Sequence, residues 1–249
     1  VKNIALQLYS IKELTEVDFF GTLEKVAQIG YKGVEFAGYF NAPAKELKAC
    51  LDNFGLKAAG SHVPINLLSN NLDEVIEYSQ QIDNKFIICP YLPLEMRDSK
   101  DKYLSIAEEL NKIGEKIKGE GMHFGYHNHD FELDIFDGEH GLDLLFMNSD
   151  TQNLFVELDT FWVEYSGNSS IDFIEKYKER VKILHIKEMK SAGEKKNTEI
   201  GKGIIDFKTI IGHANKFNTE WFTVEQEYFE IPQLESIKVS FDYLSKILS

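Results

Sequence analysis

Eight times along this chain, a short run rich in β-branched and aromatic residues gives way to a longer segment whose apolar residues recur every three or four positions. The strand-like runs cover residues 4–9, 33–36, 56–62, 85–90, 122–127, 153–159, 181–187 and 220–225. Helical periodicity marks residues 18–29, 44–54, 72–81, 101–119, 141–148, 171–178, 206–216 and 234–248. The longest of these carries Leu104, Ala107, Leu110, Ile113 and Ile117 on one stripe, and Gly30, Gly55 and Gly121 stand where helices should end. Strands joined through helices run parallel. Eight such units in 249 residues match the roughly 250 residues of a closed parallel barrel. A doubly wound open sheet is the alternative, but no GxGxxG opens a first helix. No linker or low-complexity segment divides the chain. The expectation is therefore an α/β fold, an eight-stranded parallel (β/α)8 barrel, as one domain over residues 1–249.

A barrel of this kind gathers the C-terminal ends of its strands around one pocket. Four successive strands here end in polar chemistry. The first ends in His127-Asn128-His129, with Asp130 and Glu132 following, and the next in Asp159. The third ends in His185, with Lys187 and Glu188 beyond it and expected in the same mouth, and the fourth in Glu225. Two imidazoles and two carboxylates converging there read as a divalent-metal site. Mixed nitrogen and oxygen donors suit Mn, Co, Zn or Fe better than Ca, and Mg stays within the set. Such an ion could bind a ketose carbonyl with its neighbouring hydroxyl and stabilise the enediolate left by proton abstraction. Glu225 could serve as ligand and base together. His62, closing the third strand, is a candidate acid or base because its pKa lies near neutrality. Glu35 could bind sugar hydroxyls. Of the aromatic residues near strand ends (Phe36, Tyr39, Phe40, Tyr91, Phe161, Trp162 and Tyr228), some could stack on a sugar ring.

Each residue also has a plainer reading. One His or Asp at a strand end commonly caps a backbone group. His129 could simply hydrogen-bond Asp130 or Glu132. Asp130 and Glu157 read as bystanders, although Glu157 stands two residues from Asp159 and could point to the same side or cap a backbone group. His123 reads as structural, and His140 and His213 as surface residues. Gly201-Lys202-Gly203 lacks the spacing of a phosphate loop and reads as a tight turn into the next helix.

Composition removes several partners. A net charge of −14 argues against DNA, RNA or an anionic membrane. Two arginines, Arg97 and Arg180, provide poorly for phosphate clamping. Cys50 and Cys89 lack motif spacing and read as free thiols in a reducing, cytoplasmic compartment. No run of about 18 apolar residues exists to span a bilayer. The chain opens on Val1, which leaves room for a processed leader.

Several segments are similar to one family. Residues 125–132 (GYHNHDFE), 157–163 (ELDTFWV), 184–188 (LHIKE), 200–207 (IGKGIIDF) and 224–226 (VEQ) resemble the sugar isomerase/epimerase group of the xylose-isomerase-like TIM barrels. Residues 6–10 (LQLYS) and 31–35 (YKGVE) match its first two strands, so the resemblance runs nearly end to end. That group holds ketose 3-epimerases, inosose dehydratases and enzymes of 3-keto sugars, with endonuclease IV a distant relative. The resemblance implies a small-molecule carbohydrate substrate and one divalent metal, and a homo-oligomer would be in keeping. The family's metal is held by Glu, Asp, His and Glu on strands five to eight. Asp159, His185 and Glu225 fall on the last three positions. The first is a departure, filled by His127 or, if the loop folds back, by Glu132. Family epimerases work with two glutamates on opposite faces of the sugar, so losing one counts against a symmetric two-base epimerisation, and a lyase, dehydratase or isomerase with one carboxylate base and a different acid fits as well. The resemblance thus implies an isomerase or epimerase acting by proton abstraction, with a lyase or dehydratase, or a sugar-binding barrel, as alternatives. Catalytic roles fall to Glu225, His62 and Glu132, and substrate contacts to Glu35, His129, Lys187 and Trp162.

Overall fold

The computed structural model describes residues 3–248, so Val1, on which the leader expectation rests, lies outside it. Eight strands close into a barrel: β1 (Ile4–Gln7), β2 (Gly33–Phe36), β3 (Lys57–His62), β4 (Phe86–Cys89), β5 (His123–His127), β6 (Phe155–Asp159), β7 (Val181–Ile186) and β8 (Trp221–Val224). Each strand pairs in parallel with its neighbours in sequence, and β1 closes on β8. The helices α1 (Phe19–Ile29), α2 (Ala44–Phe54), α3 (Leu72–Gln81), α4 (Lys100–Gly119), α5 (Gly141–Met147), α6 (Ser170–Tyr177), α7 (Phe207–Ala214) and α8 (Gln233–Ile247) surround it. The open-sheet alternative is therefore excluded.

The helices follow from periodicity and capping. Asp18 accepts from the Gly21 N–H, Ser169 from Asp172 and Asp206 from Thr209, each relieving an orphan donor of a first turn. Gly55 ends α2 at φ 68°, a left-handed conformation that a Cβ would oppose. On α4 the buried stripe is Tyr103, Ile106, Ala107, Leu110, Ile113 and Ile117. Leu104, expected on it, is only half-buried, because Tyr103 takes the inward position. Each fully buried Leu or Ile there contributes about 1.5–3 kcal/mol.

The barrel interior has two layers. At the strand N-termini Ala5, Ala59, Phe86, Ile88, Phe155, Ile183 and Trp221 pack into a core of their own. Gly125 makes room for it, since a Cβ there would sit 2.4 Å from the Phe155 ring. One pleat further along, the same strands turn polar.

Several short elements escape periodicity because they are too brief to show it. Helices Lys12–Val17, Ile65–Asn70 and Thr160–Tyr165 lie in the loops after β1, β3 and β6. Two small antiparallel hairpins pair Ile135–Phe136 with Glu139–His140 and Glu188–Met189 with Asn197–Thr198. Among the described residues no helix is long and apolar enough to cross a membrane.

Candidate metal centre and active site

Register sets the site. His127 on β5 lies level with Glu157 on β6, and Asp159 on β6 level with His185 on β7. Period-two alternation then turns Glu157 and Asp159 to the same interior. One donor atom from each of His127, Asp159, His185 and Glu225 lies within 4.8 Å of the others, and all four residues are buried. A second group, His62, His127, Glu157 and His185, meets the same limit one level deeper.

Asp159 combines the plain reading with the functional one. Its Oδ1 accepts the Trp162 N–H at 3.1 Å and caps the short helix Thr160–Tyr165. Its Oδ2 is buried without a hydrogen-bond partner and faces His127 Nε2 at 3.9 Å. Asn128, between the two histidines, accepts the Asp159 N–H at 2.9 Å and so ties the end of β5 to the end of β6. Glu225 accepts from His185 Nδ1 at 2.6 Å and lies 3.4 Å from Lys187 Nζ, which also pairs with Glu227.

Burial by itself would raise the Glu225 pKa, but Lys187 and His185 more than offset it and hold the carboxylate well below its usual range. Burial likewise pushes Asp159 up to about 7, against the pull of Lys187. His127 is pushed down to about 4 by burial and the neighbouring His185, which leaves a neutral ring. The orphaned Asp159 oxygen, the neutral imidazole and the two-nitrogen, two-oxygen donor set fit a divalent cation.

The remaining expected residues separate. Glu132 is turned away from the cluster. One oxygen accepts from the Tyr126 hydroxyl and the other from the His129 N–H at 2.7 Å, so it belongs to neither donor group. Its placement fits neither the fourth ligand nor a cavity-facing catalytic group. His62 does line the cavity, but not as a group poised near neutrality. Burial opposes its charge, yet Glu35 at 2.8 Å and Glu157 at 2.6 Å raise its pKa to about 10. Glu35 is occupied within the protein, accepting from Gln7 at 2.5 Å and contacting His185 at 2.9 Å. His129 also lines the cavity, its Nδ1 buried and unpartnered, with its ring stacked on Phe131. Trp162 stands beside it at 5.7 Å and holds Lys187 at 4.9 Å over its ring, with an unpartnered buried Nε1.

Glu188 does not share the mouth with Lys187. Its carboxylate accepts backbone N–H groups of Met189, Gly201 and Ile205 and so holds the 201–205 turn. Glu157 is the residue that sequence reasoning passed over. It is fully buried and contacts three imidazoles. Its two-residue spacing from Asp159 was the available signal.

Glu225, Glu227, His62, His127, His129 and Tyr91 help line a cavity of about 490 Å³ at the strand C-termini. A larger one, about 720 Å³, opens at the opposite end beside Lys118, His123, Phe155 and Lys182. Of the converging donors His62, His127 and Glu225 line the smaller cavity and none lines the larger, so the chemistry lies at the smaller one. Arg180, near the other, is spent on backbone carbonyls of Leu154, Phe146 and Asp150.

A closed barrel with a buried donor cluster at its strand C-termini is the architecture of a barrel enzyme. The family model described as xylose isomerase-like TIM barrel matches residues 23–247, and the chain belongs to that family. Among curated relatives it is 22% identical to an inosose dehydratase of Clostridium botulinum (strain Alaska E43 / Type E3), covering 85% of this chain and 83% of the relative. An inosose dehydratase of Clostridium beijerinckii (strain ATCC 51743 / NCIMB 8052) is 23% identical over 93% of this chain and 88% of its own. Among solved structures, a sugar phosphate isomerase/epimerase of Parabacteroides distasonis ATCC 8503 superposes with TM-score 0.85 at 25% identity, covering 99% of this chain and 98% of that one.

Proposed function

We propose that the chain is a divalent-metal-dependent enzyme that removes the proton beside a ketone in a keto-polyol or keto sugar and expels a neighbouring hydroxyl as water. The observation that carries this reading is the asymmetry of the donor cluster. Glu225 is a carboxylate facing the cavity, while the strand-five position opposite holds the imidazole of His127. The two-base epimerisation of ketose epimerases uses a glutamate on each face of the sugar. Elimination needs one base and one acid, and its class agrees with the inosose dehydratases among the relatives.

His127, Asp159, His185 and Glu225 would hold the ion, which would supply Lewis-acid polarisation of the ketone oxygen. Glu225, kept ionised by Lys187 and His185, takes the proton from the carbon next to the ketone. His62 carries a proton between Glu35 and Glu157 and passes it to the departing hydroxyl. The C–H electron pair becomes the new C=C bond, the C–O bond breaks, and water leaves. The cavity wall bears Glu225 and Glu227, and among the described residues no Lys or Arg lines it, which favours an unphosphorylated substrate.

The isomerase/epimerase among the solved structures favours a second reading, in which the same carbon is reprotonated instead. Incubation with inososes, 3-keto sugars and ketoses in D₂O, each with its phosphorylated counterpart, separates the two. Elimination gives an unsaturated product, and epimerisation returns deuterium to the carbon. Glu225→Gln should retain metal and lose about 10²–10⁴ in rate. Wild-type turnover by a metal-loaded Glu225→Gln enzyme would remove Glu225 as the base.

A further inference from the structure

The deeper of the two donor groups has no role in the chemistry above beyond His62, yet it holds a carboxylate in an unusual position. Glu157 Oε1 lies 2.6 Å from His62 Nε2, 3.1 Å from His127 Nδ1 and 3.1 Å from His185 Nε2. One buried oxygen thus meets three imidazole nitrogens from three strands. Of these, His62 Nε2 and His127 Nδ1 hydrogen-bond Glu157, while His185 Nε2 hydrogen-bonds Glu35 Oε1 at 2.9 Å. A carboxylate oxygen only accepts, so each of these nitrogens presents an N–H. An imidazole nitrogen that carries a hydrogen has no lone pair left for a metal. On His127 the nitrogen free to bind an ion is then Nε2, 3.9 Å from Asp159 Oδ2. His185 Nδ1 faces the Glu225 carboxylate at 2.6 Å, a hydrogen bond that an ion would replace.

We infer that Glu157 is a positioning residue that fixes the tautomer and ring orientation of His127 in the metal centre from beneath. The two overlapping donor groups are then one centre and its support. The upper four residues face the ion, and the lower carboxylate holds the ring that His127 contributes. Ligand histidines commonly give their second N–H to a carboxylate, and losing that partner typically costs about 10–100-fold in metal affinity. Glu35 stands to His185 as Glu157 stands to His127, since its Oε1 meets His185 Nε2 at 2.9 Å.

The inference rests on the metal reading for its effect on affinity, but its tautomer claim stands on the apo protein. The experiment uses the full chain. ¹⁵N-resolved NMR of the histidine rings in metal-free wild type should show His127 carrying its proton on Nδ1, the less populated form of a free neutral imidazole. In Glu157→Gln, which keeps the shape and loses the charge, that resonance should shift toward the mixture of a free ring. Titration with Zn²⁺, and with Co²⁺ followed by its visible spectrum, should give affinity about 10–100-fold weaker for Glu157→Gln. Glu157→Asp should recover part of the loss. Circular dichroism identifies any variant that fails to fold, and the conservative Asp variant then carries the test.

If wild type binds neither ion, the metal reading fails while the His127 tautomer still decides the role of Glu157. Unchanged ring resonances together with Zn²⁺ affinity within twofold of wild type would overturn the inference. So would loss of metal in Glu157→Gln and His62→Ala with retention in Asp159→Ala, because Glu157 would then be a ligand itself.

Discussion

The two ends of the barrel interior are built from the same strands by opposite rules. At the N-terminal end Phe86, Phe155, Ile183 and Trp221 fill the space with apolar volume, and every inward position contributes packing. Two to four residues further along β6 and β7, the inward positions hold Glu157, Asp159 and His185, all fully buried. Removing these charges from water costs several kcal/mol per ion even after relaxation. Hydrogen bonds and opposite charges offset part of that, yet Glu35 Oε2, Glu157 Oε2 and Asp159 Oδ2 stay without partners. The lower layer therefore stabilises the barrel, and the upper layer spends part of that stability on holding chemistry in place. Each end also has its cavity, the larger being the one without converging donors. Volume alone points to the wrong end, and the convergence of titratable groups to the right one.

The sharpest way to break this contrast is to remove the upper layer. Asp159→Ala and His185→Ala should each abolish stoichiometric metal in elemental analysis and bring turnover to background. Thermal unfolding of the metal-free variants should show little loss, because each substitution also relieves a buried charge. Full metal occupancy in both variants would refute the ligand assignment, and a collapse of the apo fold would show that this layer is structural.

The converse substitution lies in the floor. Phe155 sits edge-on to Phe86 at 5.6 Å and fills the space left by Gly125. Phe155→Ala should cost about 3–5 kcal/mol in denaturant unfolding. Zn²⁺ affinity measured well below the unfolding midpoint should stay at the wild-type value. A large affinity loss without unfolding would mean that the two layers are mechanically coupled and that the division drawn here is too clean.

How much of this was legible in the sequence depends on the length of the signal. The barrel was legible because eight long helical segments and eight strands each carry their own periodicity. Asp159, His185 and Glu225 stood out because each ends an apolar run. Glu157 did not, because it lies inside its run, between Val156 and Leu158; its spacing from Asp159 allowed the same side, and register shows that it faces inward with Asp159. Glu132 misled for the opposite reason. It follows the histidine cluster closely in sequence, but its two oxygens are taken by the Tyr126 hydroxyl and the His129 N–H. His62 was placed at the right strand end, but its proton affinity is set by Glu35 and Glu157, which lie 27 and 95 positions away. No local pattern contains such pairings.

Glu132 also supplies the finest test of the contrast, being a buried carboxylate beside the upper layer without being part of it. Burial pushes its pKa up to about 8 from an ordinary value of 4.5, despite hydrogen bonds from Tyr126 and the His129 N–H that pull it down. Between those two values the folded protein holds a proton that the unfolded chain releases. Unfolding then loses protons, so this group's contribution to stability falls as pH rises from about 4.5 to about 8 and levels off above that. Glu132→Gln keeps an acceptor for the His129 N–H and cannot ionise. Its stability relative to wild type should therefore rise across that window, by on the order of 2–3 kcal/mol between pH 4.5 and 7. Urea unfolding at half-unit pH steps reads the difference directly and cancels titrations common to both proteins. Zn²⁺ affinity should be unchanged, since Glu132 faces away from the cluster. A difference that is flat with pH would mean that Glu132 is ionised in the fold, held by its two hydrogen bonds. A loss of Zn²⁺ affinity would return it to the metal centre, as its position after the histidine cluster in sequence suggests.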